Sequence, residues 1–155
     1  MHLETPTPLQ SEHQALYAEI HTAAKRTGRS GKAARLVERL MEQHFAREEE
    51  FVFPPLGLLP ELAQGKVAQE MAAAVVMAAR VQDELPNLLA VQRVIAAALE
   101  ELMAHAEEDG HAELVAFGEK LLLHEEIERE VSYPTAMLIG KYLQLRLKEQ
   151  EAVAI

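Results

Sequence analysis

Cysteine is absent from the chain's 155 residues, which excludes disulfides, thiolate-bound metals and cysteine-ligated iron–sulfur clusters. Tryptophan is absent too, aromatics make up only 5%, and β-branched runs are scarce, so little favours sheet. Long apolar runs are missing. The most apolar, Met71 to Ala79, falls far short of the roughly 20 residues that a membrane helix needs. The N-terminal stretch shows no basic cluster followed by an apolar segment, so no signal peptide is expected. A soluble, cytoplasmic protein with no membrane partner is the expectation. Positive charge is in short supply, with 15 Lys and Arg against 25 Asp and Glu. The formal net charge of −10 repels phosphate backbones, which argues against a nucleic-acid partner.

What is present is rich in Ala, Leu and Glu, which are strong helix formers. An all-α fold in a single domain over 1–155 is expected. The first helix should start at Thr7-Pro8, with Thr7 as N-cap and Gln10 completing a capping box, and run to about Thr27. Gly28 to Gly31 reads as a turn in which Ser30 caps the next helix. The second helix is expected from about Lys32 to Val52, stopping at Pro54-Pro55. A helical stretch from about Lys66 to Leu85 comes next, interrupted or restarted at Pro86. The third helix then continues to about Glu108, and Asp109-Gly110 ends it. The fourth runs from about Ala112 to Val131, breaks at Pro134, and is succeeded by a last amphipathic helix over about Thr135 to Glu149.

An internal repeat places the chemistry. His44-Phe45-Ala46-Arg47-Glu48-Glu49-Glu50-Phe51-Val52-Phe53-Pro54 is echoed 80 residues later by His124-Glu125-Glu126-Ile127-Glu128-Arg129-Glu130-Val131-Ser132-Tyr133-Pro134. Val37, Met41, His44, Glu48 and Phe51 share one helical face, and so do Phe117, Leu121, His124, Glu128 and Val131. A single His-x-x-x-Glu is ordinarily a surface pair. Two copies in register, each inside an apolar stripe, point inward instead.

Leu9, His13, Leu16 and Ile20 add a third inward histidine. The midpoint of His13 and His44 falls at Gly28–Arg29, so the two imidazoles are expected to face each other across the first hairpin. The same counting about Glu108 pairs His124 with Gln92, whose stripe Leu88, Gln92, Ile95 and Leu99 matches that of His13. Gln92 stands where a fourth histidine is expected, as a ligand, a hydrogen-bonding neighbour of ligands, or a polar remnant. His21, His105 and His111 read as solvated residues near helix ends. Glu49, Glu50, Glu125, Glu126 and Glu130 read as an exposed acidic face. The Met71–Ala79 stripe reads as core or helix-packing surface.

Three imidazoles, two carboxylates and a carboxamide would thus converge in an apolar interior. Buried carboxylates close together are costly unless a cation balances them. The candidate metal ligands are His13, His44, Glu48, Gln92, His124 and Glu128, a nitrogen and oxygen set that suits iron, manganese or zinc. Two carboxylates at one level could bridge a metal pair.

These motifs resemble the hemerythrin-like family of histidine/glutamate cation-binding domains. They are Glu12-His13 followed by Leu16, His44-x-x-x-Glu48 leading to Phe53-Pro54, and His124-x-x-x-Glu128 leading to Tyr133-Pro134. The resemblance implies an up-down-up-down four-helix bundle, here with extra helical segments after the second helix and at the C-terminus. It also implies a non-haem di-iron centre bridged by Glu48 and Glu128. His13 and His44 would serve one iron; His124 and the third-helix residue would serve the other. The family places histidine at that third-helix position, and its oxygen carriers place another four residues on. Gln92 and Ala96 depart from this pattern, which disfavours reversible oxygen carriage.

Three functions stand as alternatives. One is a non-catalytic protein that senses or handles iron, oxygen or small oxidants, with a diatomic molecule or oxidant as its ligand. Another is an enzyme-like di-iron protein acting on peroxide or nitric oxide, or repairing metal centres. The third is an interaction module whose metal site has decayed. The last helix could also pack against a second subunit in a homodimer.

Overall fold

The structure is a computed structural model that describes residues 2–155, and every regular element among them is helical. The α-helices are α1 (Thr7–Ala24), α2 (Gly28–Arg47), α3 (Leu59–Ala63), α4 (Ala72–Glu108), α5 (Ala112–Ile127) and α6 (Tyr133–Val153). Two π-helical segments, Glu48–Val52 and Glu128–Ser132, extend α2 and join α5 to α6. They sit 80 residues apart, in the two copies of the sequence repeat. Short 3-10 turns, Pro54–Leu58 and Gln69–Met71, flank α3 and lead into α4. Among the described residues, no helix is long and apolar enough to cross a membrane.

Two apolar clusters form the interior. Leu16, Ile20, Val37, Met41, Ile95, Leu99, Leu102 and Leu121 fill the one enclosed by α1, α2, the second half of α4 and α5. Phe51, Phe53, Met71, Val81, Leu88, Tyr133, Ile139 and Leu143 fill the other, beneath α6 and the first half of α4. Each long helix changes cluster at a candidate ligand: α1 between Leu9 and Leu16, α2 after Phe45, α4 between Leu88 and Ile95, α5 after Leu121. The polar residues therefore form a layer between two dry cores. Within the Met71–Ala79 stripe, Met71, Ala74 and Ala78 are buried, and the small side chains let α6 approach closely. A Cβ on Gly140 would lie 2.3 Å from that of Ala78.

Several sequence expectations need correction. Gly28–Gly31 is the first turn of α2 rather than a loop; the connection is Lys25 to Thr27. Gly28 enters the helix at φ +79°, a backbone conformation open to glycine, and Ser30 bonds Asp109 instead of capping. Thr7 is the first helical residue and Pro6 the cap position, with no side-chain cap bond, so the Thr7–Gln10 capping box is not formed. Pro86 does not interrupt α4. Pro86 and Gln82, whose carbonyl loses its helical partner, are both exposed, so water can serve that oxygen. Pro134 does not break the chain either, because it enters the first turn of α6 directly after the π segment.

The π segments also change which side chains face inward. A π turn carries an extra residue and so rotates everything beyond it. In the second repeat Val131 is turned out, while Ser132 and Tyr133 are buried.

Candidate metal centre

The helical stripes bring His13, His44, Glu48, Gln92, His124 and Glu128 together, and all are buried. His13 and His124 each direct Nε2 into the centre and Nδ1 outward. Nδ1 of His13 faces Glu49 Oε1 at 3.3 Å, and Nδ1 of His124 faces Glu12 Oε1 at 3.0 Å. A carboxylate behind each ring favours the proton on Nδ1, which leaves the Nε2 lone pair free for a cation. Glu49, expected on an exposed face, is half-buried for this reason.

Glu48 and Glu128 sit at the middle. Glu48 Oε1 is 3.5 Å from His44 Nε2 and 3.8 Å from His13 Nε2. Glu128 Oε2 is 3.3 Å from His124 Nε2 and 3.5 Å from His13 Nε2. The ring that His13 meets is His124, with centroids 5.2 Å apart, rather than His44. The hairpin level is close to the expected one, since Phe45 stacks on His13 with centroids 3.7 Å apart. His44, however, is about 100° round the helix from Phe45 and points toward α5 and α6. The donor groups are thus His13, His124 and Glu128 on one side, and His44, Glu125 and Glu128 on the other, each within 4.8 Å of one another.

Glu125 is the main correction among the site residues. It was expected on the solvated face, yet it is buried, and its Oε2 lies 3.3 Å from His44 Nε2. The helical stripe misses it because it neighbours His124 and lies off the His124–Glu128 line. Tyr133 was also missed as a member of the site. Its hydroxyl donates to Glu48 Oε2 at 2.8 Å and is 3.2 Å from His44 Nε2. The shared aromatic-Pro ending of the two repeats was the available signal, since the counterpart Phe53 packs against His13 at 4.9 Å.

Both ends of the Gln92 carboxamide are engaged. Nε2 donates to the Glu125 carbonyl at 3.1 Å and to the Tyr133 hydroxyl at 3.2 Å; Oε1 accepts from Arg129 at 3.2 Å. His21, His105 and His111 stand apart from the cluster, beside Glu38, Glu101 and Glu113.

The electrostatics record the strain of this grouping. Burial, reinforced by His124 and His44, pulls His13 down to about 3. Burial pushes the Glu48 carboxyl well above its ordinary range, and the neighbouring Glu128 adds to the effect. Burial raises Glu128 in the same way. At His44 burial works downward, but Glu48 and Glu125 outweigh it and the net shift is upward. Burial, with Glu48 and Glu128 close by, raises the Tyr133 phenol far above its usual value.

The donor set fits a metal. Among the described residues, the buried side-chain polar atoms without a partner are His13 Nε2, Glu48 Oε1, His124 Nε2, and both carboxylate oxygens of Glu125 and of Glu128. All belong to this one cluster. Leaving such atoms unpaired costs about 1–3 kcal/mol each, and more where they are charged. Two donors bound to one cation at about 2.1 Å stand roughly 3–3.5 Å apart. Most of the imidazole–carboxylate separations fall at that spacing. Beside the cluster, a groove of about 300 Å³ between α1 and α2 reaches His13 and Glu49. Compared with known proteins, the chain matches no family model, no curated protein and no solved structure.

Proposed function

We propose that this chain is a metal-binding protein of the hemerythrin-like type. In this reading α1, α2, the second half of α4 and α5 form an up-down-up-down four-helix bundle, with α6 and the short segments after α2 added to it. The site holds non-haem iron and serves to sense or handle iron, oxygen or a small oxidant. The observation that carries it is the concentration of every unpartnered buried side-chain polar atom among the described residues in one His/Glu cluster. The carboxylates of Glu49 and Glu12 behind His13 and His124 add to it, because they orient imidazoles as metal ligands require.

His13, His44, His124, Glu48 and Glu128 would hold the metal, and the bound ion would supply Lewis acidity and, as iron, one-electron chemistry. Two apolar clusters close the layer above and below, and the groove at His13 and Glu49 is an approach from its side. Tyr133 holds Glu48 in place through its hydroxyl.

The test is anaerobic loading with ferrous iron, removal of excess, and a metal count per chain, with absorption spectra recorded before and after air. Bound iron with the near-ultraviolet absorption of a ferric centre is the expected result. No uptake by wild-type protein, or equal uptake by a variant lacking His13, His44 and His124, would refute the reading.

A second reading, an enzyme-like protein acting on peroxide or nitric oxide, is favoured by the groove that leads a small molecule to His13. Turnover by the iron-loaded protein no faster than that of free iron would rule it out.

A further inference from the structure

We infer that Glu125 supplies the ligand that Gln92 does not, so that the site holds two cations in unequal positions, one rich in imidazole and one rich in carboxylate. This rests on the metal-binding reading above.

The two halves of the repeat differ at one telling place. Glu125 is the counterpart of Phe45, 80 residues earlier. Phe45 spends its side chain stacking flat on His13, with an interplanar angle of 5°. On the other side α4 offers no imidazole at the level of the cluster, since its His105 lies apart beside Glu101. The residue in the stripe position of His13 is Gln92, whose amide is taken by the Glu125 carbonyl and Tyr133 and whose oxygen is taken by Arg129. Where an imidazole is missing, a carboxylate has been gained in the same polar layer.

That carboxylate is aimed at the centre and makes no hydrogen bond. Glu125 is 3% exposed, and neither of its oxygens has a hydrogen-bond partner. Oε2 approaches His44 Nε2 at 3.3 Å, and together with Glu128 these donors form a second triad beside His13, His124 and Glu128. Glu128 belongs to both triads, as a carboxylate shared between two ions would. Gln92 acts as a positioning residue: it holds the main chain of Glu125 while leaving the carboxylate free. Three buried carboxylates carry enough negative charge to offset most of that of two divalent ions, which two carboxylates with neutral imidazoles would do less well. The first position, with two imidazoles, suits a softer divalent ion. The second, with one imidazole and more oxygen, suits a harder one.

The test is titration of the metal-free protein with cobalt(II), counting ions by native mass spectrometry and following the visible cobalt bands. Wild type is expected to bind two ions in two steps. E125Q should bind one, losing the second step and its bands, while E126Q, at the exposed neighbour, should keep both. E125Q keeps the shape of the side chain, and circular dichroism with thermal melting of the metal-free variant checks that it folds. Should it fail to fold, E125L is the substitute and should likewise bind one ion. Two ions in E125Q or E125L would overturn the inference and leave Glu125 as a partner of His44 only. A single ion in wild type would overturn it while leaving the proposed function standing. No ion in wild type would overturn both.

Discussion

The Tyr133 hydroxyl donates to Glu48 across 2.8 Å, joining the end of one sequence repeat to the centre of the other. The same oxygen accepts from Gln92 and lies against His44. One phenol therefore ties together three helices at the layer where the two apolar clusters meet.

Removing that hydroxyl should be felt by the metal-free fold. Y133F leaves Glu48 Oε2 and one Gln92 donor without a partner in a dry interior. A loss of about 1–3 kcal/mol is expected. Urea unfolding should show a lower midpoint at unchanged slope; an unchanged midpoint would mean that water replaces the phenol.

The carboxylates behind the histidines should tune affinity more than stability. E12Q and E49Q keep the shape of side chains that are only partly buried, but remove the charge facing Nδ1 of His124 and His13. Metal affinity is expected to fall about 10–100-fold in each. Competition against a chelator of known strength measures it, with circular dichroism unchanged.

The stability of the metal-free protein should pass through a maximum as pH changes, because the buried groups pull in opposite directions. The raised Glu48 and Glu128 bind protons in the folded state that the unfolded chain has released. Their contribution is fully present below the unfolded value of 4.5 and is lost as pH rises through their folded values. His13 behaves oppositely, since its folded value is depressed to about 3. Stability falls as pH drops below 6.5 and goes on falling toward 3. Melting temperatures across this range should therefore decline on both sides without metal. With metal, the alkaline decline should disappear and protons should be released on binding, which an unbuffered indicator titration would detect. A flat profile with no proton release would contradict the assignment.

The close approach of α4 and α6 should tolerate no added bulk. A Cβ at Gly140 would overlap that of Ala78 at 2.3 Å, so G140A must push the helices apart. A cost of about 1–3 kcal/mol is expected, read as a lower melting temperature of the metal-free protein. An unchanged melting temperature would show that α6 docks loosely.

Much of the architecture was legible along the chain because helical periodicity is local. A residue's face depends on its neighbours three and four positions away, and this was enough to turn His13, His44, Glu48, Gln92, His124 and Glu128 inward. The 80-residue repeat likewise marked the two places where the helices change character. Prolines were read too strictly: Pro86 and Pro134 were expected to interrupt helices that continue, since a proline's missing bond matters less where water or a π turn takes up the difference.

Tertiary structure decided which donors meet. The extra residue in each π turn rotates the next stretch of helix, and no periodic count from the preceding helix anticipates it. That rotation buries Tyr133 in place of Val131. Glu125 looked like one more solvated glutamate beside Glu126 because nothing local separates them; only the packing of α4 against α5, with His44 reaching across from α2, buries one and leaves the other out. The use made of Gln92 depends on contacts 33 to 41 residues away, with the Glu125 carbonyl, Arg129 and Tyr133. The sequence alone determined that histidines and glutamates face a common interior, because that is a property of each helix by itself. How those side chains are shared among two triads is a property of helices packed together, and only the fold could decide it.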